Sequence, residues 1–255
     1  VKLPPSEWDY TLNVGSFFGA LYLCSTRPFL DETTTHREAD FIVEALKLRP
    51  DERVLDLCCG HGRHLVWLRK HSPNTWGLDL DETSLEIARE SLRADADRRL
   101  VRGNLYALPF HHAFDALYAW YASLFLSEDD AVNQEALTQA ARALKPGGRM
   151  LIHSHNPERQ AKEAETRLET TLPDGSHLLE VAWYDPVNGL LHGERRLEGP
   201  DGTLEGHYQV RCPSLVDYRK WCRSSGLVLE QAWGDIAGRP PSAEAVDLIV
   251  RLRRP

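Results

Sequence analysis

Residues 54–65, Val-Leu-Asp-Leu-Cys-Cys-Gly-His-Gly-Arg-His-Leu, constrain the fold more than any other stretch of the chain. An apolar run ends in Asp56, two glycines follow as Gly60-x-Gly62, and a helical pattern begins. That order describes a strand feeding a tight glycine turn at the start of a helix, the place where an α/β sheet receives a nucleotide-like ligand. The third glycine of a dinucleotide fingerprint would fall at position 65, where Leu65 stands. Asp56 would also repel a pyrophosphate. It would instead attract a nucleoside ligand that carries positive charge and no phosphate.

The flanking patterns alternate helix and strand. Thr35-x-x-Glu38 and Thr83-x-x-Glu86 read as capping boxes, the first followed by Phe41, Ile42, Ala45 and Leu46 on one helical face. Strand one spans 53–57, and the helix after the glycine turn runs to about Lys70 with Leu65, Val66 and Leu68 inward. Ser127 is the expected cap of a helix with Val132, Ala136, Leu137, Ala140 and Leu144 inward, stopped by Pro146-Gly147-Gly148. Such alternation implies an α/β fold with a parallel sheet and right-handed crossovers. After Asn156 the pattern changes. Three turn signals, at 173–175, 186–189 and 199–202, separate runs of strand composition, with Leu179, Val181 and Trp183 alternating on one face. An antiparallel sheet is therefore expected as an insertion. A helix at 214–225 ended by Gly226 follows, then strands at 227–232 and 245–252.

With these residues in view, the chain resembles the class I S-adenosylmethionine-dependent methyltransferases, in particular small-molecule types with a β insertion after strand five. The acid and alternate glycines of their first motif match Asp56-Leu57-Cys58-Cys59-Gly60-His61-Gly62, with Cys58 where the family usually has glycine. Gly77-Leu78-Asp79-Leu80, Gly103-Asn104-Leu105 with Leu108-Pro109-Phe110, Phe114–Tyr118 and Leu144–Ile152 follow in the family's order. The resemblance implies a Rossmann-like seven-stranded, mostly parallel sheet with helices on both faces, closed by an antiparallel hairpin from the last two strands. It implies an α/β domain over 36–157 and 214–255, a small antiparallel insertion over 158–213 that roofs the substrate, and a leader over 1–35. The leader's aromatics, Trp8, Tyr10, Phe17, Phe18, Tyr22 and Phe29, belong either to a lid over the cofactor or to a helix against the sheet edge.

The resemblance also implies S-adenosyl-L-methionine as cofactor and assigns residues to it. Backbone at Cys58, Gly60 and Gly62 would approach its methionine end and Asp56 its ammonium. Asp79 would hold the ribose and Leu80 would pack on adenine. Asn104 and the Leu105 backbone would read the adenine edge, and Trp120 would stand beside the cofactor. Arg63 either touches the cofactor carboxylate or forms a surface salt bridge. Methyl transfer needs chiefly alignment of donor and acceptor, and a base only where the acceptor loses a proton. His155 is the candidate base, because an imidazole titrates near neutrality. Tyr121 either orients the acceptor, lines an aromatic cage for a cation, or packs in the core. Tyr208 and Arg211 are candidates from the insertion to face a small-molecule substrate.

Bulk properties narrow the alternatives. A net charge of −8 over 255 residues argues against broad nucleic-acid binding. The basic end Arg251-Leu252-Arg253-Arg254 reads as a solvated tail. Base-amino methyltransferases place an Asn/Asp-Pro-Pro-aromatic motif after strand four, where this chain has Trp120-Tyr121-Ala122-Ser123. An RNA or protein methyltransferase, or a cofactor-binding protein without catalysis, remains the alternative. Five cysteines without framework or zinc spacing suggest reduced thiols in a cytoplasm, with no metal site. No stretch reads as a membrane span. A monomer or homodimer is expected.

Overall fold

The computed structural model describes residues 17–92, 97–163, 165–200 and 202–255. Trp8 and Tyr10 of the aromatic leader lie outside them. The first described helix, α1 (Ala20–Thr26), is followed by α2 (Glu32–Leu46). Strand β1 (Val54–Leu57) and helix α3 (Arg63–His71) flank the glycine turn. Then come β2 (Thr75–Asp79), α4 (Glu82–Leu92), β3 (Leu100–Arg102), β4 (Phe114–Ala119), α5 (Asp130–Ala143) and β5 (Leu144–His155). The short α6 (Pro157–Gln160) leads into β6 (Glu165–Thr171), β7 (His177–Asp185), β8 (Leu190–Gly199) and β9 (Gly202–Arg211). Helix α7 (Leu215–Ser225) and strands β10 (Val228–Trp233) and β11 (Asp247–Arg253) complete the chain.

Seven strands form one sheet in the order β10-β11-β5-β4-β1-β2-β3. The five from β3 to β5 are parallel, and β11 and β10 add antiparallel as expected. Every residue of β1 is buried, because helices cover both faces of the sheet. Leu55, Leu57, Leu117 and Ile152 join Tyr218 and Trp221 of α7 in one core. Val54, Ala116, Tyr118 and Leu151 join Ile42 and Leu46 of α2 in the other. The order of β1, β2 and β4 opens a cleft at their carboxyl ends, where the connections diverge to opposite sides.

Helix starts differ from those expected. Asp31, not Thr35, caps α2, accepting from Thr34 N at 2.8 Å. Asp81 caps α4 through Ser84 N (2.8 Å), and Asp129 caps α5 through Ala131 N (2.8 Å). For α2 and α4 an upstream carboxylate reaches the free N–H groups and extends the helix backwards, whereas the α5 cap lies two residues past Ser127 and starts that helix later. Thr35 and Glu38 thereby become interior residues of α2, and both are buried. The Pro146-Gly147-Gly148 segment is likewise not the stop itself. Helix α5 ends at Ala143, and those residues form a bulged start of β5. The basic end is no solvated tail. It lies in and beside β11, where Arg251 donates to Ala45 O (2.8 Å) and Arg254 to Ala141 O (2.7 Å).

The insertion is a four-stranded antiparallel sheet, β6-β7-β8-β9, with hairpins at the three turn signals. Leu179, Val181 and Trp183 do share a face, but it is the half-exposed one. Leu178 and Ala182 point to the buried side with Leu191, Leu197 and Val210. Phe17 and Leu21, at the start of the described chain, cover Leu178 and Leu197 there. Period-two alternation fixes which residues share a face; the covering partner decides which face goes inward.

Candidate functional site

The glycine turn takes its shape from backbone handedness. Cys58 (φ 61°), Gly60 (φ 52°) and Gly62 (φ 75°) are all left-handed. Glycine is the ordinary solution for such positions, and Cys58 accepts the strain instead. A Cβ on Gly60 would meet nothing within 4 Å, so the space above it is open. A Cβ on Gly62 would lie 2.9 Å from Ala88 Cβ, so that glycine lets α3 and α4 approach. Asp79, ending β2, closes the turn: its Oδ2 accepts from Gly60 N at 2.7 Å and its Oδ1 from Asp81 N at 2.9 Å.

A cavity lies over this turn. Asp56, Cys58, Gly60, Arg63, Asp79, Leu80, Leu105, Trp120 and Tyr121 line it. Gly62 and Asn104 support it from behind. Asn104 Oδ1 accepts from Tyr106 N (2.9 Å), which turns the chain so that Leu105 faces the cavity.

Asp56 is 3% exposed, and among the described residues no ion pair closes on it. Burial pushes its carboxyl up to about 8, against the influence of Tyr118 and Arg63, with the Asp79 charge adding to the rise. Burial also raises Asp79, despite the hydrogen bonds from Asp81 and Gly60. A buried and a half-buried carboxyl, both with raised pKa values, mark a place made for positive charge and hydroxyl donors. Burial raises the Cys58 and Cys59 thiols as well, so neither is an activated nucleophile.

Arg63 is no surface residue. Its side chain is 13% exposed, it lines the cavity, and it pairs with Glu38. The far wall is aromatic: Trp120 and Tyr121 follow β4, and Phe18 and Tyr22 come from the leader. Tyr121 and Ala122 are consecutive left-handed residues (φ 61° and 56°), which turn the Tyr121 ring into the cavity, 5.9 Å from the Arg63 guanidinium carbon.

Three candidates lie elsewhere. His155 is within β5, opposite Asp247, and does not line the cavity. Burial pushes its imidazole down to about 4, with His153 adding to the fall, so it is a poor proton acceptor at neutral pH. One strand period earlier, His153 stacks near Trp120 (4.8 Å) and parallel to Tyr121 (6.5 Å), with Nε2 3.2 Å from Asp247 Oδ1. Arg211 does not face the cavity. It ties the end of β9 to α5 through Asp130 (3.0 Å) and to α7 through Asp217 (3.4 Å), and donates to the neighbouring Cys212 O (2.9 Å). Tyr208 lies over Phe17 (4.6 Å) and donates to Glu180 at 2.6 Å, one layer behind the lining. The sequence reading missed Glu38, His61 and His64. Glu38 left a signal, a carboxylate on the inward face of an amphipathic helix.

Among the described residues no helix is long and apolar enough to cross a membrane. The family described as a methyltransferase domain matches residues 54–148. The chain is 26% identical over 203 residues to cypemycin N-terminal methyltransferase from Streptomyces sp, covering 79% of this chain and 82% of that one. It is 30% identical over 173 residues to O-methyltransferase rstn1 from Aspergillus nomiae, covering 63% and 71%. The fold matches SAM-bound CalS10, an amino pentose methyltransferase from Micromonospora echinaspora, with a TM-score of 0.71 and 21% identity over 92% of this chain and 97% of that one. The carboxylate-tipped β1, its left-handed turn and these likenesses lead to one statement: the chain belongs to the class I S-adenosylmethionine-dependent methyltransferases, and S-adenosyl-L-methionine is its methyl donor.

Proposed function

We propose that this protein methylates a nitrogen or oxygen of a small molecule, and that the leader and the 158–213 insertion roof the acceptor over the 36–157 and 214–255 domain. One observation carries the reading: the cavity is polar and charged at the glycine turn and aromatic at its far end. When bound, the donor supplies a methyl group on a sulfonium, ready for direct displacement.

The chain's part is binding and alignment. Asp56 neutralises the donor's ammonium. Asp79 keeps lone pairs free for ribose hydroxyls after accepting from Gly60 and Asp81. Leu80 and Leu105 pack on adenine, and Asn104, from behind, holds the turn that presents Leu105 to its edge. Backbone at Cys58 and Gly60 admits the methionine end, with Gly62 behind it, and Arg63 receives its carboxylate. Trp120 and Tyr121 hold the acceptor against the methyl. An amine that arrives uncharged needs no protein base in the displacement. The names of the relatives point to an amino terminus in one case and an oxygen in the other, which supports N or O as the target. The five free thiols support a reducing, cytoplasmic setting.

The test is transfer of labelled methyl from the donor to panels of small amines and hydroxyl compounds, beside bulk RNA and protein. Label in one of the small-molecule panels is expected. Label only in RNA or protein sinks the proposal.

A further inference from the structure

Arg63 is held from behind. Its Nη1 donates to Thr35 Oγ1 at 3.1 Å and to Glu38 Oε2, and the same carboxylate oxygen meets His64 Nε2 at 3.0 Å. Thr35 and Glu38 sit one turn apart on the buried face of α2, which crosses α3 at the start of the glycine-turn helix. Burial pushes the Glu38 carboxyl up, but the His64 hydrogen bond and the Arg63 charge outweigh it and bring it to about 2. Burial pushes His64 down to about 4. At neutral pH the cluster therefore holds one positive guanidinium, one carboxylate and a neutral imidazole.

Among the described residues only one nitrogen of the guanidinium, Nη1, has a partner. Nε and Nη2 have no protein partner among the described residues, and they form the side-on edge of the fork. A guanidinium this enclosed, with most of its donors unpaired, is a receptor for a planar anion, because the free edge matches both oxygens of a carboxylate. Tyr121 bounds the same guanidinium on the cavity side. The anchor at Nη1 removes the rotamer freedom that a free arginine would lose on binding.

We propose that Glu38, assisted by Thr35, is a positioning residue that presets Arg63 to receive the carboxylate of the donor's amino-acid end. The proposal rests on the donor reading above and adds to it a residue that touches no ligand. Glu38 has two opposing effects on that carboxylate. Its own charge repels, and its hold on Nη1 orients the free edge. Orientation prevails, because Glu38 sits on the opposite side of the guanidinium and its charge is already neutralised by the ion pair.

The experiment is calorimetric titration of the full chain with two ligands, S-adenosylhomocysteine and 5′-methylthioadenosine. The second keeps the nucleoside and the sulfur but lacks the amino acid. Arg63→Met and Glu38→Gln are each expected to weaken S-adenosylhomocysteine by about tenfold or more, the scale of a charged hydrogen bond. Each should leave 5′-methylthioadenosine within about twofold. The double variant should be no weaker than Arg63→Met alone, since Glu38 acts through Arg63. Thr35→Val removes only the neutral anchor and should give a smaller loss, again for S-adenosylhomocysteine alone. It carries the test if Glu38→Gln does not fold. Equal losses for both ligands, an unchanged S-adenosylhomocysteine affinity, or losses that multiply in the double variant overturn the proposal while the donor reading stands. A wild-type chain that binds neither ligand overturns the donor reading and the proposal with it.

Discussion

Replacing Asp56 with Asn should make the donor-free protein more stable and the donor complex weaker. The carboxyl titrates at about 8 in the fold because it is buried, and near 3.9 in an unfolded chain. A group whose folded pKa is raised contributes its full stability below the unfolded value. It loses that contribution as pH rises through the folded value. At pH 7 the folded state therefore holds a proton that the unfolded chain releases, which disfavours folding by about 4 kcal/mol. Asn keeps the shape without the charge, so a large part of that cost should vanish. Each kcal/mol moves the melting temperature of a chain this size by roughly 2–4 °C. The variant should thus melt several degrees higher at pH 7.5, and the two proteins should converge below about pH 4. Binding should show the opposite sign. Losing a charge-assisted bond to the ammonium costs about 1.5–3 kcal/mol, or roughly ten- to a hundredfold in affinity. Wild-type binding at pH 7 should also release close to one proton as the ammonium draws Asp56 into its ionised form. Melting from pH 4 to 8, together with calorimetry in two buffers of different ionisation enthalpy, measures both effects. A variant no more stable at pH 7.5, with no proton released by the wild type, would refute the reasoning.

The two turn glycines should separate stability from binding. Gly62→Ala forces a left-handed alanine into Ala88 and should cost about 2–3 kcal/mol, seen as a lower melting temperature. Gly60→Ala meets open space and should cost only about 1 kcal/mol of stability, while its methyl group obstructs the donor and lowers S-adenosylhomocysteine affinity by calorimetry. Equal donor affinities in the two variants would count against the open space as the donor's place. Arg211→Met should lower the melting temperature through loss of its bonds at the joint with Asp130 and Cys212, by about 1.5–3 kcal/mol. Donor affinity should be unchanged, and a selective loss of donor binding would return Arg211 to the site.

Where the sequence spoke through local chemistry it was legible. The left-handed turn demands its glycines, Asp79 must end β2 to reach Gly60 N, and Gly226 ends α7 in the left-handed region. Turn signals placed all three hairpins of the insertion. Legibility failed where two local signals competed or where a long-range partner decided. Thr35-x-x-Glu38 has the form of a cap, yet Asp31 took the cap and released both residues to hold Arg63. His155 and His153 differ by one strand period, and only the pairing with β11 and the stack on Trp120 distinguish them.

The sequence by itself determined the order of strands and helices, the glycine turn and the acids at the ends of β1 and β2. Each follows from periodicity, backbone handedness or a motif of a few neighbouring residues. Only the tertiary structure decided which face of the inserted sheet is buried, that leader aromatics wall the cavity, that Arg211 serves a joint, and that Asp56 is enclosed deeply enough to keep its proton. Those outcomes depend on what covers a residue across tens of positions of chain, and burial of that kind leaves no local mark.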